Sequence, residues 1–381
     1  MAKAEMTGRQ RLLTALAHEE PDRVPISPRY GAWLQAEYGS VSLERVRDEI
    51  LPDIDFMHIL GDSTPDYVSN CRDEYDLPEV EVEQNRYDEG NYNVVERVFH
   101  TPAGDLSDRT KIPPSGREYG VSPNAIKTEH LVKDAEDLER LAYILPKIST
   151  NFDYYHQAKE VVGDRGVVMV CIRSCLDHNA GQARDMQDLM VDYYTNRELF
   201  DRLLEIFHER SVERIRVALE GGVEFIFGSW YYNSLSSGWS PAMYEELFVP
   251  QLREHVELTH SYGAYYDFYD DGNLADSIEM IANTGIDVLE TCTPPPICDF
   301  DLRTAKEKIG PKTTIKGYVD LLYVIQHGTP ELIEQTVAEA MEIAKPGGGF
   351  IIGSSDSFRE GTPRQNLETY WRCCKKYGVY E

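Results

Sequence analysis

Several things are scarce in this chain of 381 residues. No apolar run approaches the roughly 20 residues that span a bilayer, so no membrane-crossing helix is expected. The opening MAKAEMTGRQ holds no apolar signal region, and a cytoplasmic location is the expectation. Basic residues are outnumbered, 38 Lys and Arg against 66 Asp and Glu, for a net charge of −28. So acidic a surface argues against nucleic acid or an anionic membrane as partner, and suits plain solubility. The seven cysteines, Cys71, Cys171, Cys175, Cys292, Cys298, Cys373 and Cys374, include no C-x-x-C pair. Neither a disulfide framework nor a structural zinc cluster is expected from them. A Gly-x-Gly-x-x-Gly fingerprint is also missing. The Pro-Gly-Gly-Gly at 346–349 lacks the Lys-Ser/Thr of a nucleotide loop and reads as the end of a helix.

What is present is a repeated alternation of short β-type runs with helix-period segments. Candidate strands fall at 23–27, 53–59, 167–171, 223–227, 264–268, 287–290, 313–317 and 349–353. Most are followed by a helix opened by Ser-Pro, Asn or Thr-Pro, and several of those helices stop at Gly. Such alternation predicts a parallel sheet. Eight units without a dinucleotide fingerprint predict one α/β domain over 1–381, a single (β/α)8 barrel. The irregular stretch 62–135 is expected as an insertion, with a hairpin about Pro102-Ala103-Gly104.

Active sites of such barrels gather at the C-terminal ends of the strands. Polar residues just past each candidate strand are therefore candidates. They include Arg29 and Tyr30, His58, Arg173 and His178, Trp230 and Tyr231, Tyr269, Asp270 and Asp271, Glu290 and Cys292, Tyr318, and Asp356. The aromatic members suit a pocket for a planar ring or a methylated cation, although Tyr is abundant throughout and also serves ordinary packing. Asp270 and Asp271 are adjacent, so their side chains diverge; either one has an alternative duty in capping the helix expected from 273.

The chain resembles the uroporphyrinogen decarboxylase and cobalamin-dependent methyltransferase superfamily. RQRLLTALAHEEPDRVPIS is similar to its N-terminal helix and first strand, and GWSPAMYEELFVPQLREHVELTHSYG to its Ser-Pro helix. DDGNLADSIEMIANTGIDVLE and KPGGGFIIGSSDSFREGTPRQN resemble its later strand-to-helix segments. The resemblance implies a (β/α)8 barrel, and it also shows departures. The decarboxylase proper carries paired arginines where this chain has SPRYGAWLQAEYG, with Arg29 alone, and a His where this chain has Asp356. The zinc-using thiol methyltransferases carry His-x-Cys ahead of the Gly matching Gly272; here those positions are Tyr269 and Asp271. Thiolate-activating zinc is accordingly not expected.

By elimination the resemblance points to the O-demethylase branch, which moves a methyl group from a small methoxylated, often aromatic, or methylated substrate to a corrinoid on a partner protein. Asp271 is then the inward acid. With Glu290 and Asp356 it shares a proton or holds a hard divalent metal, with Tyr269 completing the catalytic set. Substrate contacts are expected from Arg29, Tyr30, Arg173, His178, Trp230, Tyr231 and Tyr318. The alternatives are a decarboxylase or other lyase on the same fold, and a non-catalytic binding barrel. Whether the chain self-associates stays open.

Overall fold

The computed structural model describes residues 5–114 and 124–380. Its contacts divide the chain into two compact units. The first comprises Met1–Asp62, Asn151–Ile172 and Ala218–Glu381, and the second Ser63–Thr150 and Arg173–Val217. No described helix is long and apolar enough to cross a membrane.

The first unit is organised by a curled parallel sheet of seven strands, in the order β1-β6-β7-β8-β9-β10-β11. These are β1 (Phe56–Gly61), β6 (Gly166–Arg173), β7 (Phe225–Ser229), β8 (Tyr265–Asp270), β9 (Val288–Thr291), β10 (Thr314–Val319) and β11 (Phe350–Ser354). The last four each begin one residue later than the sequence predicts. The expected first strand at 23–27 is reduced to a single parallel bridge, Ile26 to Ile352. Pro25 has no N–H to donate, and Pro28 restricts the residue before it, so a longer ladder cannot form there. The segment still joins the sheet's two edges. Ile352 N–H donates to Pro25 O (2.9 Å) and Ser27 N–H to Ile352 O (2.8 Å) on the β11 side, while Asp55 N–H donates to Ile26 O (2.8 Å) at the entry to β1.

Successive side chains of a strand face opposite sides. Met57, Val167, Met169, Phe225, Phe227, Tyr269, Val288 and Ile351 share one apolar cluster with Leu12, Ala15 and Leu16 of the helix Gly8–Leu16. Thr314, first residue of β10, donates from Oγ1 to Ala15 O (3.3 Å), which sets this helix against the strand starts. Thr7 caps the helix in a capping box with Gln10. Its buried Arg11 pairs with Asp22 (2.6 Å) and Asp55 (2.5 Å), and Asp55 also accepts from Arg23 (2.8 Å) and Ile26 N–H (2.9 Å). One carboxylate thus ties helix, bridge segment and first strand together.

The second unit holds an antiparallel sheet in the order β2-β3-β4-β5. Its strands are β2 (Glu81–Glu89), β3 (Tyr92–Thr101), β4 (Gly104–Ile112) and β5 (Ile126–Glu129). Val95, Phe99 and Leu106 are buried in it, with Val94 buried on the opposite face of β3. Among them lies a fully buried Arg97–Asp108 pair (2.5 Å), with Lys127 bonded to the same carboxylate (2.8 Å). Burial alone would raise the Asp108 pKa, but the two cations hold it below its ordinary value. Part of the segment 62–135, residues 115–123, lies outside the described residues.

Candidate active site

Where β8 ends, its alternation decides which acid faces inward. Tyr265, Tyr269 and the apolar inner residues lie on one side, and Tyr266 and Phe268 on the other. Asp270 is buried and turns back on its own loop, accepting from Gly272 N–H at 2.8 Å. Asp271 points the other way and accepts from Tyr269 Oη at 2.9 Å. The helix that follows, Ile278–Ala282, has no side-chain cap at Ser277. Asp299 instead holds the turn ahead of it, accepting at Oδ1 from Leu274 N–H (2.7 Å) and Ala275 N–H (3.2 Å). No sequence signal marked Asp299, which comes from a different loop.

Arg29 reaches in from the end of the bridge segment. Its guanidinium lies 4.2 Å from the Tyr269 ring centre and 5.4 Å from that of Phe227, a cation–π seat. Nε is 3.9 Å from Glu290 Oε1, and Nη1 is buried without a hydrogen-bond partner among the described residues. Burial alone would lower the Arg29 pKa; the adjacent Tyr269, Glu290, Asp356 and Asp271 more than reverse this, and the cation is firmly held.

Asp271 is the chemically poised member. Its Oδ1 is buried with no hydrogen-bond partner among the described residues. Burial and the neighbouring Asp356 push its carboxyl pKa up, against the pull of Tyr269 and Arg29. The Tyr269 hydroxyl is itself shifted well up, mainly by burial, so it stays a donor. Asp356 is bonded to Arg359 at 2.6 Å. Beside the group, Tyr30 Oη and His58 Nδ1 are 3.0 Å apart, and burial lowers His58 to about 4. His58 is therefore neutral near pH 7.

The structure thus brings together Arg29, Tyr269, Asp271, Glu290 and Asp356. Glu290 differs from the expectation of an acid open to the mouth. It is 1 % exposed and salt-bridged to Lys316 Nζ at 2.5 Å. The other candidates make contacts apart from this group. Trp230 is completely buried, donates to Tyr266 Oη (2.9 Å) and stacks on Phe268, the face of β8 opposite Tyr269. Tyr231 is 43 % exposed, with its ring against Tyr232. Tyr318 has φ +89°, rare for a bulky residue, and lies 6.4 Å from the Phe300 ring. Cys292 is buried, and burial followed by Glu290 pushes its thiol well up, so it is no nucleophile. Arg173 pairs with Asp66 (2.8 Å) within the second unit. The side chain of His178 lies outside the described residues.

Asp267 and Lys316, buried beside this group, are not among the site residues the sequence singled out. The signal was available: each is a charged residue inside a strand, at an inward position, rather than just past its end. For a metal the donors do not fit. Among the described residues no group of three or more His, Cys, Asp or Glu side chains could hold an ion. Glu290 is committed to Lys316, Asp356 to Arg359, and one Asp271 oxygen to Tyr269.

The chain superposes on a methyltransferase from Methanosarcina mazei with a TM-score of 0.64, over 98% of this chain and 99% of that one, at 16% identity. That likeness is one of fold. A B12-independent methionine synthase from Shewanella sp. W3-18-1 aligns over 93% of this chain and 96% of that one, with a TM-score of 0.47 and 10% identity. No curated protein sequence matches. The model of the uroporphyrinogen decarboxylase (URO-D) family matches residues 115–377, most of the chain, and the protein belongs to that family.

Proposed function

We propose that the protein transfers a methyl group from a small methoxylated aromatic or other methylated substrate to a reduced corrinoid on a partner protein, with Asp271 as the general acid. The observation that carries this reading is the Asp271 carboxyl. It is pushed toward its neutral form at the end of β8, oriented by Tyr269, with one oxygen left unpaired. When the methyl–oxygen bond of an aryl ether breaks, its electron pair stays on the oxygen as a nascent phenolate. Asp271 gives that oxygen its proton and becomes a carboxylate beside Tyr269 Oη and the Arg29 cation. Such proton donation is worth about 10²–10⁴ in rate. Family membership and the fold shared with a methyltransferase support the assignment.

The test is methyl transfer from a panel of methoxyarenes to a reduced corrinoid carrier, followed spectroscopically. Asp271→Asn is expected to slow the reaction by about 10²–10⁴, and least for substrates whose phenols are most acidic, because they need the proton least. Equal rates for parent and variant would sink the role of Asp271. A second reading, decarboxylation, draws on the unpaired Arg29 Nη1, a fixed cation suited to a substrate carboxylate. Release of CO₂ without any methylated carrier would favour it.

A further inference from the structure

Below the group at the strand ends lies a second cluster of charge. Glu290 on β9 is in register with Tyr269 on β8 and with Lys316 on β10, and Asp267 is two residues earlier on β8. The side chains of Asp267, Glu290 and Lys316 are 1 %, 1 % and 2 % exposed. Lys316 Nζ is 2.5 Å from Glu290 Oε2 but 4.0 Å from Asp267 Oδ2. Neither Asp267 oxygen has a hydrogen-bond donor among the described residues. Arg29 Nε stands 3.9 Å from the other Glu290 oxygen, Oε1.

An ionised carboxylate without donors, next to a second carboxylate, is among the costliest groups to bury. The lysine is hydrogen-bonded to Glu290 and stands from Asp267 only at the outer limit of an ion pair, so neither Asp267 oxygen gains a donor from it. Protonation of Asp267 resolves the conflict and turns it from a rival anion into a donor for Glu290. We propose that Asp267, Glu290 and Lys316 form a buried positioning triad: neutral Asp267 and the Lys316 cation fix an ionised Glu290, which holds the Arg29 guanidinium over the Tyr269 ring. Asp267 and Lys316 then influence the reaction through Arg29 without touching substrate. The direction of the Asp267 pKa agrees. It is raised by burial and by Glu290, while Lys316 and Arg29 pull the other way. Tyr266 and Cys292 are the further titratable groups close to it, and burial keeps both uncharged.

The existence of the triad is independent of the reaction; its effect on turnover rests on the methyl-transfer reading. The two are therefore measured separately. Infrared spectra of the full-length protein at pH 7 should show the carbonyl stretch of a neutral carboxylic acid that disappears in Asp267→Asn and persists in Asp271→Asn. Asp267→Asn keeps a donor toward Glu290, so its turnover should stay within a few-fold of the parent, whereas Asp267→Val should lose tenfold or more in kcat. Lys316→Met, which leaves the Glu290 carboxylate without its cation, should add a further neutral-acid band beyond those of Asp267 and Asp271, whereas Lys316→Arg should not. If Lys316→Met does not fold, the Asp267 variants and Lys316→Arg still decide the matter. An unchanged spectrum in Asp267→Asn overturns the protonated triad whatever the enzyme's substrate. Full kcat in Asp267→Val, with the band lost, overturns the link to Arg29.

Discussion

At Asp271 and Asp267 the same physics that poises a proton also costs stability, and this gives a sign to the pH dependence. Both carboxyls have folded-state pKa values raised above the ordinary value of 3.8. The unfolded chain releases these protons near pH 4, while the folded chain keeps them to higher pH. Their contribution is fully present below pH 4 and is lost as pH rises toward the folded values, by up to about 1.4 kcal/mol per pH unit for each retained proton. Urea unfolding at pH 5 and pH 8 should show the parent losing stability over this interval and Asp271→Asn losing less. Identical pH slopes would mean that Asp271 is ionised throughout. Asp22 runs the opposite way. Burial alone would raise its pKa, but hydrogen bonds from Arg11 and the Met6 N–H, with the charge of Arg11, bring it to about 2. Its contribution is present above pH 4 and is lost as the pH falls toward 2. Legibility at this scale was uneven. The expectation of Asp271 as the inward acid came from its family position, whereas the bonds of Asp299 to the turn at Leu274 and Ala275 could not be read, because the two lie in different segments of the chain.

Among the elements, β10 is the one whose position the site tolerates least. Gly317 has φ +126°, and a Cβ placed there would sit 2.0 Å from Thr291 O on β9. Lys316 and Tyr318 flank it, so the backbone shift that any larger residue forces is passed to both. Gly317→Ala should cost at least about 2 kcal/mol by combining a disfavoured φ with a backbone clash. Chemical denaturation checks the cost, and activity should fall further than stability explains. The strands themselves were legible because short, nearly continuous apolar runs, set between helix-period segments, are a strong local signal. The segment 23–27 shows the limit of that signal. Its pattern is that of a strand, yet two prolines leave it one bridge, and its role in joining both edges of the sheet emerges only from tertiary hydrogen bonds. Arg11 has the same lesson for helices. It falls on the buried side of Gly8–Leu16 because Asp22 and Asp55 await it. Arg11→Met should lower stability by about 3–5 kcal/mol, since it strips a partner from a buried carboxylate.

For the whole molecule, the dominant fact is a charge of −28 on 381 residues. The alternation that predicted a parallel sheet says nothing about this term, and the charge says nothing about fold. Ion pairs such as Arg11–Asp22 and Arg97–Asp108 are buried, so added salt weakens them little. Many of the remaining acids face water and repel one another over a screening length of about 30 Å at 0.01 M salt, which shrinks to about 10 Å at 0.1 M. Repulsion is larger in the compact chain than in the expanded one, so its screening favours folding. Thermal unfolding should therefore move to higher temperature as sodium chloride rises from about 0.01 M to 0.3 M, a range that takes the screening length from about 30 Å to below 10 Å. Scanning calorimetry at fixed pH reads the shift. A midpoint that falls with salt would mean that exposed ion pairs, such as Arg364–Glu368 and Lys376–Glu334, outweigh the net repulsion, against their usual worth of about 0–1 kcal/mol each.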